Sequence, residues 1–242
     1  MRPLAALTLV LALPAVAAQT GLGPVEVSAE GKLHVDARAF PGGPVGDSPG
    51  FLVRRARVEL TAETAGGVRA VLEPGFGEGE VEIIDGYVEL AVRAGRFKTP
   101  VGYESLRSSS DLRFAERALP TALSPRRDLG VQLAWEAPRV EAQAGLFNGV
   151  PDGASGSDDW GSGPDAAARV FARPGGRLDG LGLGLAVAAG TERGTADTPG
   201  LDDYETSGDR TVFGYAPGVR AGGGRLRLAP QATLHLGPLS LL

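Results

Sequence analysis

Apolar and polar side chains alternate along this chain in segments of roughly ten residues, and this alternation constrains the fold more than any other feature. In the segment 225–235, Leu226 and Leu228 alternate with Arg225 and Arg227. The same pattern recurs at 32–40, 55–62, 83–90, 129–135 and 140–147. A period of two residues is typical of a β-strand with one apolar face. The repetition therefore predicts an all-β protein.

The connections between these segments alternate in length. Short turns are expected near 64–67, 91, 137–138, 174–179 and 237–238, and long loops at 41–50, 99–127, 148–164 and 191–211. A soluble β-sandwich also alternates along its strands, but short turns on one side and long loops on the other are typical of outer-membrane barrels. We therefore predict an up-and-down antiparallel transmembrane β-barrel, of which this chain covers about ten strands.

The first residues have the pattern of an export signal. Arg2 precedes the apolar run 4–13, Pro14 interrupts it, and small residues follow at 15–18. Such a run is too short to cross a bilayer as a helix. We predict a signal peptide at 1–18 and a barrel domain at 19–242; a buried N-terminal helix is the alternative.

The last residues predict a longer protein. The segment 239–242 begins a strand after the turn at 237–238 but contains no terminal aromatic residue. Bacterial barrels have complete strands in even number. We therefore expect the chain to be the N-terminal part of a larger barrel.

Composition excludes several other classes of protein. The chain has no cysteine, which excludes a disulfide-stapled domain and thiol chemistry. Its formal net charge of −5 argues against a nucleic-acid partner. His34 and His235 lie in alternating segments with no ligand-like neighbours, and no catalytic motif is present. The sequence therefore predicts no metal, no cofactor and no enzymatic activity.

Acidic residues gather in the predicted loop that follows the segment 140–147. They are Asp152, Asp158, Asp159 and Asp165, around Trp160. Carboxylates in a loop can bind calcium, but this spacing fits no EF-hand. A solvated turn cluster is the favoured interpretation.

The segment 95–133 carries motifs in a distinctive order. It contains a GxFK run at 95–98, serines at 108–110, a Glu-Arg pair at 116–117 and the return RDLGVQL from Arg127. In this order the segment resembles the phosphate-selective outer-membrane porins, the porin O and P family. The run Arg54-Arg55-Ala56-Arg57 is similar to another motif of that family.

The resemblance implies a passive channel in the bacterial outer membrane. Its full-length members are expected to be homotrimers surrounded by outer-membrane lipid, and to pass inorganic anions, with phosphate- or polyphosphate-like solutes favoured. Two alternatives remain: a general diffusion porin with weak selectivity, and a non-transporting envelope protein with a structural or adhesive role.

Basic residues are the candidates for the anion pathway, because guanidinium groups bind phosphate oxygens in a bidentate manner. Alternation places Arg55 and Arg57 on the polar face and Arg54 on the lipid side, unless Arg54 lies at the rim or a bulge turns it inward. The loop 99–127 is expected to narrow the pore, with Arg117 as the strongest single candidate. The complete set is Arg54, Arg55, Arg57, Lys98, Arg107, Arg113, Arg117, Arg126, Arg127, Arg225 and Arg227.

One departure from the family concerns the solute. Phosphate-specific members carry a lysine just before the double serine, whereas this chain has Glu-Ser-Leu-Arg at 104–107. Arg107 is the candidate replacement. The residues therefore predict anion preference more strongly than phosphate specificity.

Overall fold

The computed structural model describes residues 5–20, 23–38, 50–77, 81–112, 117–156, 163–197, 199–201, 203–205 and 211–241. Its strands are β1 (Ala5–Thr20), β2 (Gly23–Arg38), β3 (Gly50–Thr64), β4 (Arg69–Gly75), β5 (Glu82–Glu89), β6 (Val92–Lys98), β7 (Arg127–Ala137), β8 (Val140–Phe147), β9 (Asp165–Ala172), β10 (Leu181–Arg193), β11 (Tyr204–Glu205), β12 (Thr211–Phe213), β13 (Gly222–Leu236) and β14 (Leu239–Leu241). One short helix, α1 (Tyr103–Leu106), and 3₁₀ turns at Ser109–Asp111, Leu119–Leu123 and Gly176–Leu178 complete the described elements. The prediction of an all-β fold is confirmed.

The chain divides into two compact units. The N-terminal unit comprises Met1–Leu90, Ser108–Glu116 and Asp203–Gly214, and the C-terminal unit comprises Ala91–Arg107, Arg117–Asp202 and Tyr215–Leu242. In the N-terminal unit β1 to β5 pair in chain order, each antiparallel to the next. In the C-terminal unit β6 to β10 do the same, followed by β13 and β14. The predicted up-and-down antiparallel connectivity is therefore present within each unit.

Several strands are long enough to cross a bilayer. β2 has 16 residues, β3 and β13 have 15, and β10 has 13, whereas a tilted membrane strand needs about 9–11. Among the described residues, no helix combines the length and the apolar character that a membrane span requires.

The two faces of the sheet are opposite in character to those of a water-soluble sheet. On β7, Asp128 and Gln132 are buried at 1% and 3% exposure, while Leu133 is 58% exposed. On β13, Gln231 is buried and Leu226 is 65% exposed. Burying one such leucine is worth about 1.5–3 kcal/mol in water. Many leucines of these strands are exposed and would not gain this free energy in water. We therefore infer that the apolar face contacts lipid and that the polar face is turned away from it.

Glycines on the polar face make room for aromatic rings. A side chain at Gly184 of β10 would place its Cβ 2.5 Å from a ring carbon of Phe171, and one at Gly130 would lie 2.6 Å from the ring of Phe147. Glycine in a strand often marks such a close approach. Phe147 also meets Phe97 edge to face, with ring centroids 5.6 Å apart. These rings are among the buried apolar side chains of the C-terminal unit.

Two segments differ from the expectations drawn from the sequence. The loop expected at 191–211 begins later, because β10 continues to Arg193, and it extends to Ala221 with the β11–β12 hairpin inside it. β1 includes most of the predicted leader and pairs with β2. Cleavage of the leader stays a prediction.

An arginine on the apolar face of β7 should destabilise the sheet of the C-terminal unit. We expect Leu133→Arg to lower the free energy of unfolding by about 2–4 kcal/mol, because the charge would lie against lipid near the middle of the strand. Urea unfolding of vesicle-embedded protein measures this. Ala134→Arg is the control on the polar face, and an equal loss there would contradict the assignment of the two faces.

Candidate functional site

A bulge in β3 brings Arg54 to the polar face of the N-terminal unit. The register between β2 and β3 shifts after the pair His34–Arg55, because β3 contributes one extra residue, Arg54, at that point. An extra residue changes the side to which the chain points. Arg54 Nη1 lies 3.5 Å from Oδ2 of Asp36, which is 1% exposed. Of the two positions that the sequence allowed for Arg54, the inward bulge is therefore the one observed.

The neighbouring arginines contact side chains of the adjacent strands. Arg57 Nη1 lies 3.5 Å from Glu73 Oε1 of β4. Arg55 Nη1 lies 3.3 Å from His34 Nδ1 of β2, and because guanidinium can only donate, the imidazole nitrogen is the acceptor. Glu73 lies on β4, the strand that pairs with β3.

Together these side chains form what we call the N-terminal basic cluster. Its cations are Lys32, Arg54, Arg55 and Arg57, and its carboxylates are Asp36, Glu59 and Glu73. Four cations and three carboxylates give a formal charge of +1. The basic side chains retain 15–19% exposure at Lys32, Arg54 and Arg57. The cluster is thus a partly accessible, net positive surface on the polar face.

In the long loop, Lys98 and Arg117 bind the carbonyl groups at the end of α1. Lys98 Nζ donates to the carbonyl oxygens of Leu106 at 3.2 Å and Arg107 at 2.9 Å. Arg117 donates from Nε to the Glu104 carbonyl and from Nη2 to the Arg107 carbonyl, both at 3.1 Å. The last carbonyls of a helix lack partners within it, and cations are favourable there. The contacts of these two residues therefore fix the shape of the loop.

Further hydrogen bonds close the loop. The Glu104 carboxylate accepts from the backbone N–H of Ala118 at 2.7 Å. The Thr99 hydroxyl donates to the Pro125 carbonyl at 2.9 Å, and the Thr99 N–H donates to the Arg126 carbonyl at 2.9 Å. The first and last residues of the loop are therefore held next to each other.

The loop lies against the polar face of the C-terminal unit. The Tyr103 ring contacts Phe171 of β9, with centroids 5.6 Å apart. Arg107 is exposed, donates to the Tyr103 hydroxyl at 2.7 Å, and lies 5.3 Å from the centre of its ring. A cavity of about 440 Å³ separates this part of the loop from residues 227–232 of β13. Arg107 therefore lies on the same side of the C-terminal unit as Phe171, the polar face.

The remaining candidates of the loop lie near its end or outside the described residues. Arg126 is exposed and Arg127 is half-buried at the start of β7. Arg113 lies outside the described residues, and so does the glutamate of the Glu-Arg pair.

The arginines of β13 are held by carboxylates. Arg225 donates to Glu192 at 2.6 Å and to Asp165 at 2.7 Å. Arg227 donates from Nε to Asp152 at 2.6 Å, and its Nη1 lies 3.7 Å from Asp165. We call these five residues the β13 arginine cluster. Two cations and three carboxylates give it a formal charge of −1, so its charge is opposite to that of the N-terminal basic cluster.

The sequence contained signals for some of these acidic partners but not for their pairing. Asp165 alternates with Arg169 and Phe171 along β9, which places it on the polar face. Glu73 is buried on the polar face of a strand that is only seven residues long. Their pairing with particular arginines depends on strand register, which alternation does not specify.

A polar inner face, an apolar outer face and a basic cluster on antiparallel strands are the features of a membrane channel wall. A family model described as phosphate-selective porin O and P matches residues 27–204, nearly three quarters of the 242 residues. The chain belongs to the phosphate-selective porin O and P family. It is therefore an outer-membrane porin with a β-barrel fold, as the motifs of segment 95–133 predicted. Searches of curated proteins and of solved structures found no match.

The matched region divides the basic residues of the porin into two groups. The N-terminal basic cluster and the long loop lie within residues 27–204, whereas Arg225 and Arg227 lie beyond it. Membership in a channel family favours transport over the structural or adhesive role considered from the sequence.

Removing the Lys98 ammonium should loosen the loop. Lys98→Met keeps the length of the side chain but leaves two carbonyls without this donor, at a cost of about 1–3 kcal/mol. We expect an arginine-specific protease to cut the loop of vesicle-embedded porin at least about fivefold faster. Lys32→Met, which removes the other lysine, is the control, and identical cleavage of the two variants would contradict the anchoring role.

A side chain at position 190 should displace the Asp165 carboxylate. The Cβ of Gly190→Ala would collide with Asp165 Oδ1 and with its carboxyl carbon, and such overpacking costs about 1–3 kcal/mol. We expect a lower urea midpoint for this variant. Gly222→Ala is the control, because nothing lies within 4 Å of a Cβ there; equal midpoints for the two variants would contradict the close approach.

Proposed function

We propose that the porin conducts anions by passive diffusion, with phosphate- or polyphosphate-like solutes favoured. The observation that carries this proposal is the bulge in β3, because it adds Arg54 to Arg55 and Arg57 on the polar face. Without the bulge, Arg54 would point at lipid, because it directly precedes Arg55 on the polar face. This net positive cluster on the polar face supports the proposed anion pathway.

Two ion pairs of this cluster are longer than a strong charge-assisted hydrogen bond. Arg54 lies 3.5 Å from Asp36, and Arg57 lies 3.5 Å from Glu73. We propose that a passing phosphate oxygen competes with these carboxylates for the guanidinium groups and then leaves. A channel needs binding that favours entry but does not prevent exit.

We propose that the loop 99–127 forms the constriction and that Arg107 takes the role of the missing lysine. Arg107 is exposed and its guanidinium is oriented by the Tyr103 hydroxyl and ring. Arg126 and Arg127 are proposed as further cations of the same passage, as is Arg113. Lys98 and Arg117 would act on the pathway indirectly, through the shape of the loop.

Two further features follow the family rather than a measured contact. We propose that the segment 1–18 is removed on export and that the full-length porin is a homotrimer of separate pores. N-terminal sequencing of the mature protein tests the first proposal, and size determination in detergent tests the second.

A weakly selective general diffusion porin is the second candidate. The β13 arginine cluster favours it, because three carboxylates outweigh two arginines there. The two candidates differ in whether the N-terminal basic cluster dominates the potential in the pore.

Planar-bilayer recording in a KCl gradient separates them. We expect the full-length porin to favour chloride over potassium and to be blocked by phosphate. Replacing Arg54, Arg55 and Arg57 together with glutamine should remove most of this preference, whereas Arg177→Gln at an exposed turn should not. Equal permeability of the two ions in the wild type would overturn the proposal.

A further inference from the structure

Asp165 contacts both arginines of β13. Its Oδ2 lies 2.7 Å from Arg225 Nη2 and 3.7 Å from Arg227 Nη1. The side chain is only 6% exposed. One buried carboxylate therefore interacts with the two guanidinium groups that this strand directs to the polar face.

The chain makes space for this carboxylate on two elements. Gly190 on β10 stands opposite Arg225 in the register, and any Cβ there would collide with Asp165 Oδ1. Gly149, with φ +95°, would place a Cβ 3.0 Å from the same oxygen. Since β9 and β10 are neighbours, the missing side chain at 190 lets the carboxylate extend across β10 to β13. Two backbone positions without side chains therefore leave room for the Asp165 carboxylate beside Arg225.

The remaining carboxylates of the cluster hold the outer sides of the two arginines. Glu192 accepts from Arg225, and Asp152 accepts from Arg227. Asp152 is 36% exposed, against 6% for Asp165. The buried carboxylate is less screened by water than the exposed one, so its negative charge offsets more of the positive charge of the arginines.

We propose that Asp165 is a specificity-determining residue of the porin, whose carboxylate neutralises Arg225 and Arg227 and thereby limits the preference for anions. The inference rests on the proposed function, because it concerns the same pathway. Loss of this one negative charge would change the cluster from −1 to 0. It would also release guanidinium donors that a passing anion can use.

The test is the zero-current potential in a KCl gradient, measured for the full-length wild type and for Asp165→Asn, which preserves the shape of the side chain. We expect the zero-current potential of the variant to shift toward chloride selectivity. We also expect a severalfold lower phosphate concentration to block the current. Asp152→Asn should shift in the same direction by a smaller amount. Glu136→Gln is the control, because it removes the same charge from the polar face of β7, level with Phe171 at the end of β9 opposite to Asp165.

Outcomes for the two proposals are distinct. If the wild type favours chloride and Asp165→Asn is unchanged or moves toward potassium, the role of Asp165 is overturned while the proposed function stands. If the wild type shows no preference and Asp165→Asn moves toward chloride, the role of Asp165 stands and the proposed function fails. Heat-modifiable migration on gels reports folding. If Asp165→Asn does not fold, the Asp152→Asn variant decides. A zero-current potential equal to that of the wild type would then overturn the inference.

Discussion

Peptide groups in a bilayer have no water to bond with, so each strand must find its hydrogen-bond partners in neighbouring strands. Antiparallel pairing in chain order meets this requirement within both units of the porin. The same pleat sends successive side chains to opposite faces, so leucines such as Leu133 and Leu226 face lipid while Gln132 and Arg225 face inward. Charged side chains therefore lie on the polar face wherever the alternation is regular, and Arg54 reaches that face through a bulge.

Arginine on the inner face still needs partners where water is limited, and the two units meet this need in different ways. In the N-terminal unit a bulge in β3 turns a third arginine, Arg54, to the polar face, where the neighbouring strands carry the carboxylates of Asp36 and Glu73. In the C-terminal unit glycine removes a side chain so that Asp165 can reach across a strand. The first arrangement leaves a formal positive charge and the second a negative one. Selectivity then depends on the balance between two clusters and cannot be read from the number of arginines.

Local patterns were sufficient to predict the family and several of the longer strands, but not β1 or the β11–β12 hairpin. Val140–Phe147 was predicted with its exact bounds, and Lys98 and Arg127 do delimit the long connection between β6 and β7. Roles of single residues were harder to predict, because they depend on contacts distant in sequence. The role of Arg117 in the anion pathway stays a prediction, while its hydrogen bonds to the carbonyls of Glu104 and Arg107, thirteen and ten residues away, were not predicted. Asp165 was expected in a solvated turn, yet strand register buries it beside Arg225.

The separation of the two faces can be measured directly, because the chain contains no cysteine. Single cysteines at positions 226 to 229 of β13, in the full-length porin reconstituted in vesicles, can be probed with a charged thiol reagent and with lipid-bound quenchers. The account predicts that positions 227 and 229 react with the charged reagent, while positions 226 and 228 are quenched from the lipid. Uniform reactivity along the strand, or the opposite alternation, would contradict the assignment of a polar channel wall.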